Sequence, residues 1–168
     1  MCFTALVSEI RVHLANRDDA FIVAALVLQM DRAAGEPARA GFLREYADAW
    51  LADFDHRPTW LASLPDNTAI GLVQAGLIHK MPSLRRSTTS WIHVSLVYVR
   101  ETERGQGVAE RMLHRMIAWG SSNGVERYQL NAVPEARTLY ERLGFSAPTD
   151  RMMELLTPSD PAIRPFGR

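Results

Sequence analysis

The sequence predicts a mixed α/β fold, in which helices pack on a sheet that has both antiparallel and parallel strands. Apolar residues recur with a period of two in some segments and of about 3.6 in others. Three strand-like segments follow one another directly, which predicts antiparallel hairpins. Strands and helices alternate after them, which predicts a parallel crossover. The predicted order is β-α-α-β-β-β-α-β-α-β.

The N-terminal part of the chain contains one predicted strand and two predicted helices. Residues Ile10 to Leu14 alternate as a half-buried strand does. Asn16 is a good helix cap, and it predicts a helix over 18–32. A second helix is predicted over 39–54, because aromatic residues recur every four positions. This stripe, which is typical of a core face, consists of Phe42, Tyr46 and Trp50.

The remaining elements are predicted from their period and from glycine and proline. Strands are predicted over 60–62, 69–78, 91–99, 128–133 and 151–156, and helices over 107–119 and 134–143. Pro134 suits the first turn of the last helix, and Gly144 lies just past its end. A single domain is predicted over residues 1–157, followed by a loose tail over residues 158–168.

Composition and charge exclude several classes of function. The chain has 19 basic residues (Lys and Arg) and 19 acidic residues (Asp and Glu), so its formal net charge is zero. This balance gives no reason to expect nucleic acid or an acidic membrane as partner. Cys2 is the only cysteine, so no internal disulfide and no multi-cysteine metal site can form. The longest apolar stretch, residues 20–30, is shorter than the roughly 20 residues that span a bilayer. We expect a cytoplasmic protein that holds no metal.

A glycine-rich turn joins a predicted strand to a predicted helix at residues 104–109, Arg-Gly-Gln-Gly-Val-Ala. The first amides of a helix have no partner within it, and the helix dipole makes that end positive. Glycines let the backbone approach a phosphate closely, and Arg104 adds a charge. We therefore expect an anion site here and call residues 104–109 the phosphate cradle.

Two other nucleotide-binding motifs do not fit the phosphate cradle. The dinucleotide fingerprint requires a third glycine where this chain has Glu110. The P-loop requires Gly-Lys-Ser/Thr after its loop, and no such triplet follows.

The phosphate cradle resembles the coenzyme motif of the GNAT superfamily of N-acetyltransferases, Arg/Gln-x-x-Gly-x-Gly/Ala. Residues 136–145, Ala-x-x-Leu-Tyr-x-x-x-Gly-Phe, resemble a later motif of that family at the expected distance. The resemblance is strong over about 90–146 and looser before. It departs from the family at Val133, where asparagine is frequent. It implies that acetyl-CoA is the co-substrate, bound by Val97, Val99, Arg104, Gly105, Gln106, Gly107, Val108 and Ala109.

The resemblance also implies the chemistry. A primary amine of a small molecule or peptide would attack the thioester directly in a ternary complex. Tyr140 matches the family tyrosine that gives a proton to the leaving thiolate; without the motif it would be interpreted as a core tyrosine. His93 lies where histone-type members have a glutamate base, although it could equally be a strand histidine bonded to a backbone carbonyl. A bulged strand near Val97 would supply a backbone amide for the oxyanion.

Several alternatives stay open at this point. The domain could bind acyl-CoA as a sensor or partner without turnover, because a motif alone does not separate these functions. The loops over 31–38 and 81–90 are expected to define the acceptor. Asp31 and Glu45 lie in the region that shapes the acceptor pocket in the family, where they could hold an ammonium. A homodimer is possible.

Overall fold

The computed structural model describes residues 10–85, 87 and 89–148. The chain divides into two compact units, Met1–Leu130 and Asn131–Arg168. The predicted strand over 151–156 and the predicted tail over 158–168 lie outside the described residues. The prediction of one domain over 1–157 stays a prediction.

The first unit is built on a five-stranded sheet whose strands lie side by side in chain order. The strands are β1 (Arg11–Leu14), β2 (Thr59–Ser63), β3 (Ala69–His79), β4 (Ser90–Val99) and β5 (Val125–Leu130). The first four pair antiparallel, and β5 pairs parallel with β4. This arrangement confirms the mixed sheet that the sequence predicted.

Three helices pack on this sheet. They are α1 (Ala20–Ala33), α2 (Phe42–Ala52) and α3 (Val108–Ser122). The entry to α1 is fixed by a capping box, in which Asn16 and Asp19 exchange side-chain and backbone hydrogen bonds. The helix α3 connects β4 to the parallel β5, so it is the predicted crossover.

The register of the sheet assigns each side chain to one of two faces, because residues that pair directly across strands share a face. Leu72 and Tyr98 pair across β3 and β4, and both belong to the core cluster formed with α1 and α2. Gly71 faces the other side, where the methyl carbon Cε of Met112 in α3 lies 3.2 Å from the position a Cβ would take. The sheet therefore has an α1–α2 face and an α3 face.

A β-bulge in β4 changes which residues point to which face. Gln74 pairs with Leu96 and Ala75 pairs with Val94, which leaves Ser95 as an extra residue on β4. A shift of one residue exchanges the two faces of a strand. Because of the bulge, His93 pairs with Gly76 and lies on the α1–α2 face. The bulge that the resemblance implied near Val97 is thus present, two residues earlier.

The fifth strand begins three residues before the predicted position. It spans Val125–Leu130, whereas the sequence predicted 128–133. The preceding turn explains the shift, since Gly124 takes a left-handed φ of +71° and ends the connection from α3 immediately before Val125. The apolar residue Val133, which suggested a longer strand, precedes a 3-10 turn over Pro134–Ala136.

In the described part of the second unit, residues 131–148, one short helix, α4 (Arg137–Arg142), follows that turn. Its C-terminus forms a Schellman motif. The amide of Phe145 donates to the Tyr140 carbonyl and the amide of Gly144 donates to the Glu141 carbonyl, each at 3.0 Å. Gly144 has a φ of +91°, which glycine adopts without strain. The motif therefore explains why Gly-Phe follows Tyr140 at this spacing.

Candidate active site

The phosphate cradle lies where β4 ends and α3 begins. A 3-10 turn over Glu101–Glu103 follows the strand, and Arg104 is extended. Gly105 and Gly107 then take left-handed φ values of +75° and +72°. An L side chain in this region costs roughly 1–2 kcal/mol, so both glycines are required by the backbone. No atom lies within 4 Å of the position of a Cβ at either glycine, so the space beside them is open.

The amides at the start of α3 suit an anion. The helix has 15 residues, and Gly107 at its cap offers no side chain to accept hydrogen bonds from the first turn. Residues 104–107 are exposed, whereas Val108 is buried and fixes the first turn to the core. The positive end of the helix dipole adds to these donors. The geometry therefore fits the pyrophosphate of a coenzyme.

Polar side chains hold the turn in place. Arg104 Nε donates to the carbonyl oxygen of Val99 at 3.0 Å, which ties the arginine to the end of β4. Gln106 Nε2 lies 3.4 Å from a carboxylate oxygen of Glu103. This hydrogen bond to Val99 thus fixes the position of the Arg104 guanidinium within the phosphate cradle.

The second half of β4 has one described strand neighbour. Strand β5 pairs with β4 only from Ser90 to Val94, while β3 continues alongside to Val99. Among the described strands, the segment from Ser95 to Val99 therefore has a free edge on the β5 side. This segment includes Val97 and Val99, for which the resemblance implied backbone contacts with the pantetheine arm.

His93 lies on β4, where it pairs with Gly76 on β3 and with Gln129 on β5. It is half-buried. Its imidazole makes no hydrogen bond to another described residue, and its role as a base stays a prediction. The guanidinium of Arg57 lies over the same face, with Nη1 3.6 Å from the position a Gly76 Cβ would take.

A cavity of about 210 Å³ lies on the α1–α2 face and is called the α2 cavity here; its lining residues are Tyr46, Ala49, Trp50, Asp53, Arg57 and Gln74. The Tyr46 hydroxyl donates to Gln74 Oε1 at 2.9 Å. Burial raises the pKa of Tyr46, and this hydrogen bond and Arg57 oppose the rise. The aromatic stripe predicted for α2 therefore serves the core and one wall of a cavity.

Arg57 and Gln74 are not among the site residues predicted from the sequence. Arg57 follows the predicted second helix, and Gln74 is a lone polar residue within an apolar strand. A buried glutamine in such a strand was the available signal, since buried polar groups require partners.

Of the two acidic residues considered for the acceptor region, Asp31 lies close enough for its charge to act on Tyr46, which lines the α2 cavity. Glu45 is exposed and paired with Arg39, whose hydrogen bond holds the pKa of this carboxyl below its usual value. Burial raises the pKa of Asp31, and the nearby Glu36 adds to the rise. Neither residue lines the α2 cavity.

Tyr140 belongs to the second unit. It is buried, and its ring contacts Phe145 edge to face with ring centroids 5.8 Å apart. Burial raises the pKa of its phenol. The Schellman motif places both aromatic residues at the end of α4, where their rings are in contact.

Comparison with known proteins identifies the family. The model of the Acetyltransferase (GNAT) family matches residues 27–145, more than half of the chain and both motif segments. The chain belongs to the GNAT family. It is accordingly an acyltransferase, and the resemblance drawn from residues 104–109 and 136–145 is confirmed.

Solved structures share this GNAT fold. A predicted acetyltransferase from Clostridium acetobutylicum, crystallised with acetyl-CoA, has a TM-score of 0.70 and 20% identity over 88% of this chain and 96% of its own. A possible acetyltransferase from Clostridium difficile 630 has a TM-score of 0.68 and 15% identity, covering 90% and 100%. A GCN5-related N-acetyltransferase from Ralstonia eutropha JMP134 has a TM-score of 0.66 and 20% identity, covering 88% and 98%. At these identities the likeness establishes the fold.

No match is found among the curated proteins. Within the described part of this GNAT protein, residues 10–85, 87 and 89–148, no group of three or more His, Cys, Asp or Glu could hold a metal ion. Over the same residues no helix is long and apolar enough to cross a membrane.

Proposed function

We propose that this protein is an N-acetyltransferase that uses acetyl-CoA and acetylates a primary amine of a small molecule or peptide. The observation that carries the proposal is the phosphate cradle beside the edge of β4 that no described strand covers. A pyrophosphate on the amides of Gly105 to Val108 would direct the pantetheine arm along Val99 and Val97 toward the bulge. Membership of the family supports this orientation.

Acetyl-CoA supplies a thioester whose carbonyl carbon can be attacked by a neutral amine. The bulge at Ser95 supports an oxyanion donor at this point of β4. A bulged residue is not paired with β3, so its amide is available to a ligand. A preorganised backbone amide stabilises negative charge on oxygen more effectively than water does. The amide of Ser95 is the proposed donor, two residues before Val97, near which the resemblance implied it.

The acceptor amine must lose its proton, since a lysine-like amine has a pKa of about 10.4. His93 is the proposed base. It lies on the α1–α2 face beside the bulge, and its imidazole makes no hydrogen bond to another described residue that would occupy its nitrogens. A base within reach of the amine would take the proton directly or through one water molecule.

Tyr140 is the proposed acid. Burial raises the pKa of the phenol above its ordinary value of about 10, so the proton is present throughout the physiological range. It can pass to the departing thiolate, which restores a neutral thiol. The attack is direct, and both substrates are bound before transfer.

A two-stage experiment tests this proposal. Thermal shift with CoA, acetyl-CoA and NAD compares nucleotide classes, and we expect stabilisation by the first two only. A thiol-release screen with acetyl-CoA and a panel of amines then measures turnover. Stabilisation by CoA without thiol release from any amine would favour a sensor that binds acyl-CoA. Stabilisation by NAD alone would contradict the assignment of the phosphate cradle.

A further inference from the structure

The α2 cavity lies beside the bulge of β4. Gln74, which lines it, pairs with Leu96 next to the bulge. The backbone carbonyl of Gln74 also accepts a hydrogen bond of 3.0 Å from the hydroxyl of Ser95, the bulged residue itself. The cavity is therefore adjacent to the point where the proposed function places the acetyl transfer.

One buried donor at this cavity has no partner. The Gln74 side chain is only 6% exposed, and its Oε1 accepts from Tyr46. Its amide Nε2 is buried and makes no hydrogen bond to any described residue. A buried donor left in this state is unfavourable, because it has lost its hydrogen bonds to water without gaining a partner. A ligand oxygen that accepts from Nε2 would remove this cost.

Arg57 provides further donors at the same place. Its Nε donates to a carboxylate oxygen of Asp53 at 2.6 Å, which fixes the plane of the guanidinium. Its two terminal amino groups make no hydrogen bond to a described residue. Nη1 lies beside Gly76, where the missing side chain leaves room on the face that His93 shares.

Charges of both signs lie around the cavity, and Arg57 and Asp31 act in opposite directions on Tyr46. Asp53 offsets Arg57, and it also lies 3.4 Å from His56 Nδ1. The groups at the cavity that lack a described hydrogen-bond partner, Gln74 Nε2 and the terminal nitrogens of Arg57, are donors. The two carboxylate oxygens of Asp53 already lie beside Arg57 and His56. Trp50 and Ala49 add apolar surface, and the indole N–H of Trp50 is bonded to Thr59. The cavity therefore suits an oxygen acceptor joined to an apolar group.

We propose that the acceptor amine carries a carboxylate or amide oxygen close to its amino group, and that Gln74 Nε2 and Arg57 bind this oxygen. α-Amino acids, their amides and peptide N-termini share this chemistry. The inference rests on the proposed acetyl transfer, since it identifies the cavity as the acceptor site. A carboxylate would gain charge-assisted bonds from Arg57, and an amide would gain neutral ones.

A binding experiment on the full chain saturated with CoA tests this without requiring turnover. Leucine, leucinamide and 3-methylbutylamine share one apolar group, and only the first two carry an oxygen. Calorimetric titration should show at least one of the two binding about 10-fold more tightly than 3-methylbutylamine, as expected for one or two hydrogen bonds. Tighter binding of leucine identifies a carboxylate, and tighter binding of leucinamide identifies an amide.

Variants locate the effect. Gln74→Leu should abolish the preference for the oxygen-bearing ligand and leave CoA-induced thermal stabilisation unchanged, which also shows that the variant is folded. Gln29→Leu, the same substitution on α1 away from the cavity, should retain the preference. Equal binding of all three ligands to the unchanged protein, or an undiminished preference in Gln74→Leu, would overturn the inference. Binding with the expected preference but no acetylated product would refute only the proposed activity.

Discussion

The substitution Gly107→Ala adds one methyl group to the phosphate cradle, and its effects on stability and on coenzyme affinity can be measured separately. Gly107 has a φ of +72°, and no atom lies within 4 Å of the position of a new Cβ. The Gly107→Ala variant therefore suffers only left-handed strain, about 1–2 kcal/mol. For a chain of this size we expect a fall in Tm of about 2–8 °C. The methyl group would also occupy the open space in which phosphate oxygens would meet the amides.

The loss of coenzyme affinity follows from the same geometry. A hydrogen bond to a charged group contributes about 1.5–3 kcal/mol. Removal of one such bond at the phosphate cradle weakens CoA binding by about 10-fold to 150-fold. Isothermal titration calorimetry measures the affinity, and a thermal melt of the free protein measures the strain.

Gly124 provides a matched control at the other end of α3. It has a φ of +71°, and no atom lies within 4 Å of the position of its Cβ. Gly124→Ala should lower Tm as much as Gly107→Ala and leave CoA affinity unchanged. If both variants bind CoA as tightly as the original chain, the phosphate cradle is not the coenzyme site and the reasoning fails.

Four further predictions concern catalysis and packing. Tyr140→Phe should lower kcat by about 100-fold with CoA affinity retained; unchanged turnover, with chemistry rate-limiting, would remove its role as acid. His93→Ala should lower kcat/KM by about 100-fold and change its pH profile, and a variant that keeps both would show that no histidine base acts. Gly120→Ala would place a Cβ 2.0 Å from the Tyr128 hydroxyl, so urea unfolding should show a loss of about 1–3 kcal/mol, partly recovered by adding Tyr128→Phe. Burial raises the pKa of Tyr46. The contribution of this tyrosine to stability is therefore present below about pH 10 and is lost as pH rises through the folded-state pKa. Tyr46→Phe should flatten the decline of the urea midpoint between pH 8 and 10.5, and an equal decline in both proteins would contradict this.

Local signals were sufficient for most of the fold. The periodicity of two and 3.6 located β3, β4 and α3 within a few residues, because their buried faces are long and regular. Two glycines in a strand-to-helix turn located the phosphate cradle, since glycine adopts a left-handed backbone with the least strain. The spacing of Tyr140 to Gly144 and Phe145 has an equally local cause in the Schellman motif.

The acceptor side depended on information that is not local. The face on which His93 lies is decided by one extra residue at Ser95, and the register of β3 against β4 shows this only once the strands are paired. Gln74 and Arg57 come together through the packing of α2 on the sheet, across elements that are distant in sequence. The predicted position of β5 was three residues too late, because Gly124 ends the turn earlier than the apolar pattern suggested.

In the proposed mechanism, the chain transfers an acetyl group from acetyl-CoA to an amine while both are bound. Initial rates of thiol release, measured over a grid of concentrations of acetyl-CoA and of the best amine from the screen, distinguish this mechanism from transfer through an acetylated protein. Direct transfer predicts intersecting double-reciprocal lines, thiol and acetylated amine in equal amounts, and no acetyl group on the protein by mass spectrometry. Parallel lines, together with acetylated protein in the absence of amine, would contradict it.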